Sequence, residues 1–229
     1  IIPSIRGHYR SRRMENIVRE AEFLAASGCA ELILIAQDVT AYGADIYGEY
    51  ALPALLKNLC AVEGVRWIRL LYCYEDEITD ELIDVIRSEE KICNYIDIPL
   101  QHVDDGVLAD MNRHSTGESI RGTIAKLRGA IPDLHIRTTF IAGFPGETEE
   151  AFEELADFVE EVRFDRMGVF SYSQEEKTLA GERADQIDQE IRDRRRDQLM
   201  EIQRGISLEN NLKKIGKVFE VAVDEREEG

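Results

Sequence analysis

Segments with helical spacing alternate with short apolar, β-branched runs along most of this chain, and no two-residue hairpin signal joins one run to the next. That pattern constrains the fold more than any other feature. Strands that are not joined by hairpins must be joined by crossovers, so they lie parallel, with right-handed connections. Strand-like runs fall at 31–36, 65–72, 95–100, 135–142 and 166–172, and a last alternating run falls at 217–223. Between them, helical periodicity marks 13–27, 52–62, a segment from Thr79, 107–112, 118–130, a segment from Thr148, and 185–214. The 31–36 run is apolar throughout, like a strand covered on both faces. Five crossover strands are too few for a closed eight-stranded barrel. The sequence therefore predicts an α/β fold, an incomplete parallel β/α barrel or open sheet, with 185–214 as a closing helix.

The stretch 137–148 is the most informative single segment. A β-branched and aromatic run ends at Gly143-Phe144-Pro145-Gly146, and a helix starts at once, with Thr148 as its cap and Glu149 and Glu150 at its positive end. Gly143 and Gly146 would let backbone approach a ligand. Such a βα loop lies at the carboxyl end of a parallel strand, where α/β folds bind ligands. Other polar residues cluster where strands end: Gln37 and Asp38, Tyr74 and Glu75, Gln101 and His102, and Ser171 to Ser173. Converging strand ends place them around one pocket. His102 could instead fasten the start of the next helix, and Tyr172 could be a core residue with a solvated hydroxyl.

Composition narrows the class. With 229 residues the chain allows one large domain, or one domain and a fragment of another. No run approaches the roughly 18 apolar residues of a membrane span, and no basic-then-apolar leader opens the chain. Those features predict a soluble, cytoplasmic protein. Cys29, Cys60, Cys73 and Cys93 are widely spaced within apolar surroundings, which predicts inert thiols rather than disulfides or a metal site. A net charge of −18 opposes unaided binding to nucleic acid and favours a basic partner. The one basic patch is the opening loop, with Arg6, Arg10, Arg12 and Arg13.

Three motifs together resemble the methylthiotransferase branch of the radical S-adenosylmethionine (SAM) enzymes. They are Ile2-Pro3-Ser4-Ile5-Arg6-Gly7 with Arg10-Ser11-Arg12, Asp97-Ile98-Pro99-Leu100-Gln101-His102 with Met111-Asn112-Arg113, and Thr139-Phe140-Ile141 with Gly143-Phe144-Pro145-Gly146-Glu147-Thr148. Within the branch, Ser4 to Gly7, Ile98 to His102 and Phe170 to Glu176 are more similar to the enzymes that modify an aspartate of a ribosomal protein than to those that modify tRNA. The resemblance implies a partial radical SAM barrel over 1–214 and, over 215–229, the start of a TRAM-like β module. It implies SAM and a 4Fe-4S cluster as cofactors, with a second cluster on an N-terminal domain. The cluster cysteines are absent from this sequence, and in the family's pattern the last would stand immediately before Ile1.

The resemblance also assigns roles. Gln37 and Asp38 would hold the amino and carboxylate end of SAM. Gln101 and His102 would line its ribose side, and Thr139, Gly143, Pro145, Gly146 and Glu147 its adenine side, with Tyr172 closing the pocket. A valine at Gly143 would then fill space beside the adenine and leave the fold intact. Arg6, Arg10 or Arg12 would pair with the carboxylate of the substrate aspartate, unless they only tie the loop to nearby acids. The family's Gly-Thr-Pro-Ala is replaced by Lys177-Thr178-Leu179-Ala180, which removes a fixed turn. The implied activity is methylthiolation of an aspartate β-carbon in a basic ribosomal protein. Two other readings stand beside it: a tRNA methylthiotransferase, and a cluster-free module that holds a nucleotide or phosphate at the Gly143 loop.

Overall fold

A computed structural model of the chain describes residue 5 and residues 7–223. Its centre is one sheet of five strands in the order β1-β2-β3-β4-β5, every neighbouring pair parallel. The strands are β1 (Glu31–Leu34), β2 (Trp67–Leu70), β3 (Ile92–Gln101), β4 (His135–Ala142) and β5 (Arg166–Ser171). Spatial order equals chain order, so every crossover steps in the same direction. Right-handed crossovers that never reverse put all the helices on one face, which is how a barrel is wound rather than a doubly wound sheet.

The helices are α1 (Met14–Ala26), the short α2 (Ala44–Tyr47), α3 (Leu52–Cys60), α4 (Asp80–Ser88), α5 (Asp105–Asp110), α6 (Gly117–Ala130), α7 (Glu149–Val162) and the closing helix α8 (Gln189–Leu212). Local chemistry sets their starts. Thr79, Asp104, Thr116 and Thr148 each accept a first-turn backbone N–H, and Ser119 closes a capping box with Thr116.

The core lies between the sheet and these helices. Ile68, Leu70, Ile96, Ile98, Ile136 and Phe140 point into it and meet Leu56, Leu59, Ile86, Ile120, Leu127 and Phe158. Phe140, Phe158 and Phe164 pack edge to face with centroids 5.7–6.3 Å apart. Cys73 is buried in this core, and burial pushes its thiol well up. The Cys60 thiol is pushed up to about 11, so both are unreactive as nucleophiles.

Two expectations are corrected. The 31–36 run is covered on one face only: Ile33 is 54% and Ile35 64% exposed, because the inner face of an unclosed barrel has no layer over it. Residues 217–223 alternate like a strand but form none among the described residues, since no partner strand lies beside them; Val218 is 98% exposed.

Phe140→Ala removes the ring shared by β4, α7 and the segment before β5. It should lower stability by about 3–5 kcal/mol in urea unfolding without altering the far-ultraviolet spectrum of the folded state.

Candidate functional site

Alternation fixes which side chains line the open face. Ile136, Phe140 and Ala142 of β4 lie in the core, so Arg137, Thr139 and Ile141 face the other way. Cα partners in a parallel pair share a face, which adds Asp97 from β3 and Arg166, Gly168 and Phe170 from β5. The concave face is charged low down and apolar near the strand ends. Arg69 pairs with Glu31 at 2.7 Å and covers the Tyr95 ring, and Arg137 lies 3.5 Å from Asp97. Ile35 and Phe170, each 64% exposed, stand near the rim.

At the end of β1, Gln37 is exposed and Asp38 folds back on its own turn, accepting from Thr40 N, Thr40 Oγ1 and Ala41 N. Thr40 in turn accepts from Tyr74 N at 3.0 Å, stitching the first two strand ends together. Glu77, from a 3-10 turn at Glu75–Glu77, lies against Asp38. Burial and the neighbouring Asp38 carboxyl push the Glu77 carboxyl up to about 7. Glu77 therefore keeps its proton up to near neutrality, and its Oε2 is buried without a partner. The alternation pattern never pointed to Glu77; its signal was the acidic Glu75-Asp76-Glu77 run directly after a strand.

The Gly143 loop is held from beneath. Glu147 Oε2 accepts from Gly143 N at 2.8 Å, and Arg195 of α8 donates to Glu147 Oε1 at 2.7 Å and to its backbone carbonyl at 3.0 Å. His102 Nε2 lies 3.4 Å from the same carboxylate without a well-formed hydrogen bond, while its Nδ1 accepts from Asp104 N, the cap of α5. The His102 and Glu147 side chains have no exposed surface, so the structure does not bring either to the cleft wall. They brace the loop, and His102 fastens the helix start, the simpler of the two readings of that residue.

Gly143 also departs from expectation. At φ +76° its missing Cβ faces Arg192 Cγ and, at 2.8 Å, Arg192 Cβ, so the space beside it is filled by α8, not open to the cleft. Gly146, at φ +87°, abuts the Arg183–Asp185 pair, through which Arg183 also reaches Asp110. Pro145 is buried and Gln101 and Thr139 are half-buried. Gln101 takes φ +70°, turning β3 out of the sheet at the rim. Tyr172 is 9% exposed, stacked edge-on against Phe144 at 5.2 Å and under Arg192, and its hydroxyl is buried without a partner. In the altered 177–180 turn, Thr178 Oγ1 supplies the restraint that Gly and Pro would have given, donating to Glu175 O and accepting from Gly181 N.

Arg6 lies outside the described residues. Arg12 pairs with Glu20 on α1, and Arg10 stands by Asp45, whose carboxyl is held low mainly by Ser11. Arg12 also lines a recess beside β1 with Ile33 and Ile35. Besides Glu77, the sequence reading missed Arg192 and Arg195, charged residues of the predicted closing helix whose burial nothing in their spacing marks.

Asp38 and Glu77 form a carboxyl pair suited to an ammonium, and the apolar rim of Ile141 and Phe170 is suited to a flat ring, two groups that SAM carries. An iron-sulfur cluster is not matched in the same way: no group of three or more His, Cys, Asp or Glu among the described residues could hold a metal. No described helix is long and apolar enough to cross a membrane.

Comparison with known proteins shows the family and the fold. The profile of the Radical SAM superfamily matches residues 1–159. The chain is 53% identical over 225 residues to the ribosomal protein uS12 methylthiotransferase RimO of Desulfitobacterium hafniense, covering 98% of this chain and 51% of that protein. It is 52% identical over 226 residues to the protein of the same name from Clostridioides difficile, covering 99% and 51%. The chain thus spans about half the length of the curated relatives it matches. Among solved structures, coproporphyrinogen III oxidase HemN of Escherichia coli superposes with a TM-score of 0.59 at 18% identity, over 86% of this chain and 46% of that one. The radical SAM methyltransferase TsrM of Kitasatospora setae gives 0.56 at 17%, over 72% and 32%. These two share the fold.

Two predictions follow from the loop and the carboxyl pair. Gly143→Ala should destabilise by about 2–4 kcal/mol, since the residue is left-handed and its Cβ would displace α8; urea unfolding measures it. Glu77 binds a proton in the folded state up to about 7 but has a reference value of 4.5, so its contribution to stability declines as pH rises through that window. Glu77→Gln should therefore narrow the difference in urea midpoint between about pH 5 and about pH 8.

Proposed function

Because this chain belongs to the radical SAM superfamily, we propose that it is the barrel of an enzyme that adds a methylthio group to the β-carbon of an aspartate in ribosomal protein uS12. The observation that carries the reading is 53% identity sustained over 98% of the chain to a protein named for that activity. Net charge supports it, since an excess of acid steers the enzyme toward a basic ribosomal protein and away from tRNA. The reaction would then take place in the cytoplasm, where ribosomes are assembled.

SAM, held by the residues below, and a 4Fe-4S cluster, for which the described residues offer no ligand group, would together supply the chemistry for taking a hydrogen atom from an unactivated carbon. The chain's own task is positioning and shielding. Asp38 and Glu77 would accept the ammonium of the methionyl end, with Gln37 beside its carboxylate. The apolar rim of Ile141 and Phe170 would take the adenine, and Tyr172, packed against Phe144, would hold the end of β5 in place. Gln101 and Thr139 would contribute polar groups from β3 and β4. Glu147, His102 and Arg195 would act from beneath, keeping the loop in one shape while the cofactor turns over.

Anaerobically reconstituted full-length enzyme, incubated with SAM and a sulfur source, should leave a methylthio mark on an aspartate of uS12 in the small ribosomal subunit. Mass spectrometry of digested subunit and of tRNA reads the result. A mark on tRNA alone would overturn the proposal.

A further inference from the structure

The lower concave face carries a charge imbalance that the cofactor site does not use. Arg137 on β4 and Arg166 on β5 are Cα partners, so two guanidinium groups stand side by side on one face of the sheet. Like charges directly opposite each other destabilise a strand pair. Only one carboxylate answers them. Asp97, the Cα partner of Arg137 on β3, is 1% exposed; its Oδ2 lies 3.5 Å from Arg137, and its Oδ1 is buried with no partner. Arg166 donates to the carbonyl of Asp165 and, among the described residues, pairs with no carboxylate.

The space above the two arginines is open. The next residues of that face are Thr139 and Gly168, again Cα partners, and a Cβ built on Gly168 meets nothing within 4 Å. A glycine inside a strand commonly marks close approach by a ligand. The Arg137 side chain is 45% exposed although its strand is flanked on both sides, so its remaining N–H groups look into the cleft.

We propose that Arg137 and Arg166, with the recess over Thr139 and Gly168, form a carboxylate seat that holds the side chain of the substrate aspartate. The inference rests on the function proposed above and replaces Arg10 and Arg12 as the partners of that carboxylate. One seated monoanion balances the row, and the planar fork of Arg137 matches two carboxylate oxygens. The seat lies four residues below Ile141, about 13 Å down the strand, on the same open face and beneath the rim. An aspartate β-carbon is bonded directly to its carboxyl carbon, about 1.5 Å away, so fixing the carboxylate fixes the carbon to be modified. Asp97 is a positioning residue: it holds Arg137 upright from below.

The test uses cluster-loaded full-length enzyme with SAM and two synthetic peptides spanning the target loop of the ribosomal protein, one carrying the aspartate and the other asparagine in its place. Fluorescence anisotropy gives Kd, and mass spectrometry gives the mark. Wild type should bind the aspartate peptide at least about tenfold tighter than the asparagine peptide. Arg137→Gln and Arg166→Gln should each bring the two affinities together, with SAM affinity unchanged, and Arg137→Lys should restore part of the preference. Arg166→Gln breaks no ion pair, so it remains interpretable where Arg137→Gln unsettles Asp97. Equal affinity of wild type for the two peptides, or a preference that survives both glutamine variants, overturns the seat. Failure of the functional reading looks different: wild type then leaves no mark on the ribosomal protein at all.

Discussion

The loop after β4 holds its shape because one buried carboxylate organises it. Glu147 takes the Gly143 N–H on one oxygen and the Arg195 guanidinium on the other, with no surface open to water. An isolated carboxylate in that position would be strongly disfavoured, so the strand end, the loop and the closing helix must assemble together. Arg195 extends the tie to Glu149 in the first turn of α7, at 2.8 Å, and covers the Phe152 ring. The strand end, the loop and the start of α7 are thus fixed to a helix 46 to 48 residues further on by one arginine shared between two carboxylates. Arg192, one turn earlier, bonds the backbone carbonyl at Tyr172 and does the same for the end of β5.

This explains the mixed character of α8. Its buried stripe runs Arg192, Arg195, Leu199, Gln203, Ile206, polar where the helix crosses the strand ends and apolar where it lies over the sheet. Gln203 continues the logic lower down by donating to the Phe164 carbonyl. Helix and site loop are therefore matched in chemistry. Gly143 is small because α8 lies against it, and α8 lies there because Glu147 draws in Arg195.

The fold was legible wherever local chemistry and periodicity agreed. Thr79 and Thr148 announced helix starts, and the unbroken alternation without hairpins dictated a parallel sheet, which is the sheet observed. The inner face was not legible. Ile33 and Ile35 read as residues of a doubly covered strand because an apolar run gives no sign of whether a layer lies over it. The candidate site was half legible. Strand ends located it, but the difference between lining a cleft and bracing it from beneath depends on burial, and neither His102 nor Glu147 carries a local signal of that. Arg195 lies 48 residues beyond its partner, on a helix dense in charge, where nothing in the sequence separates a buried arginine from a solvated one. The alternation at 217–223 was real as a pattern, but a strand exists only through its neighbour.

Charge is distributed on two length scales, and they serve opposite partners. The outer face of α7 carries Glu149, Glu150, Glu153, Glu154, Asp157, Glu160 and Glu161, all exposed, and much of the remaining acidic excess is likewise on the surface. At physiological ionic strength such a field reaches about 8 Å, enough to bias the approach of a basic protein but not to orient one side chain inside a cleft. Inside, the sign reverses. Arg69, Arg137 and Arg166 stand on the concave face and, among the described residues, Glu31 and Asp97 answer them. Those side chains are accessible to solvent, Arg137 being 45% exposed, so screening confines this small positive residue to acting at contact distance, on a group already delivered to it. Under the proposed function the two scales are complementary. The acidic exterior gathers a basic ribosomal protein, and the basic interior then selects the one acidic side chain that such a protein must present for the reaction to proceed.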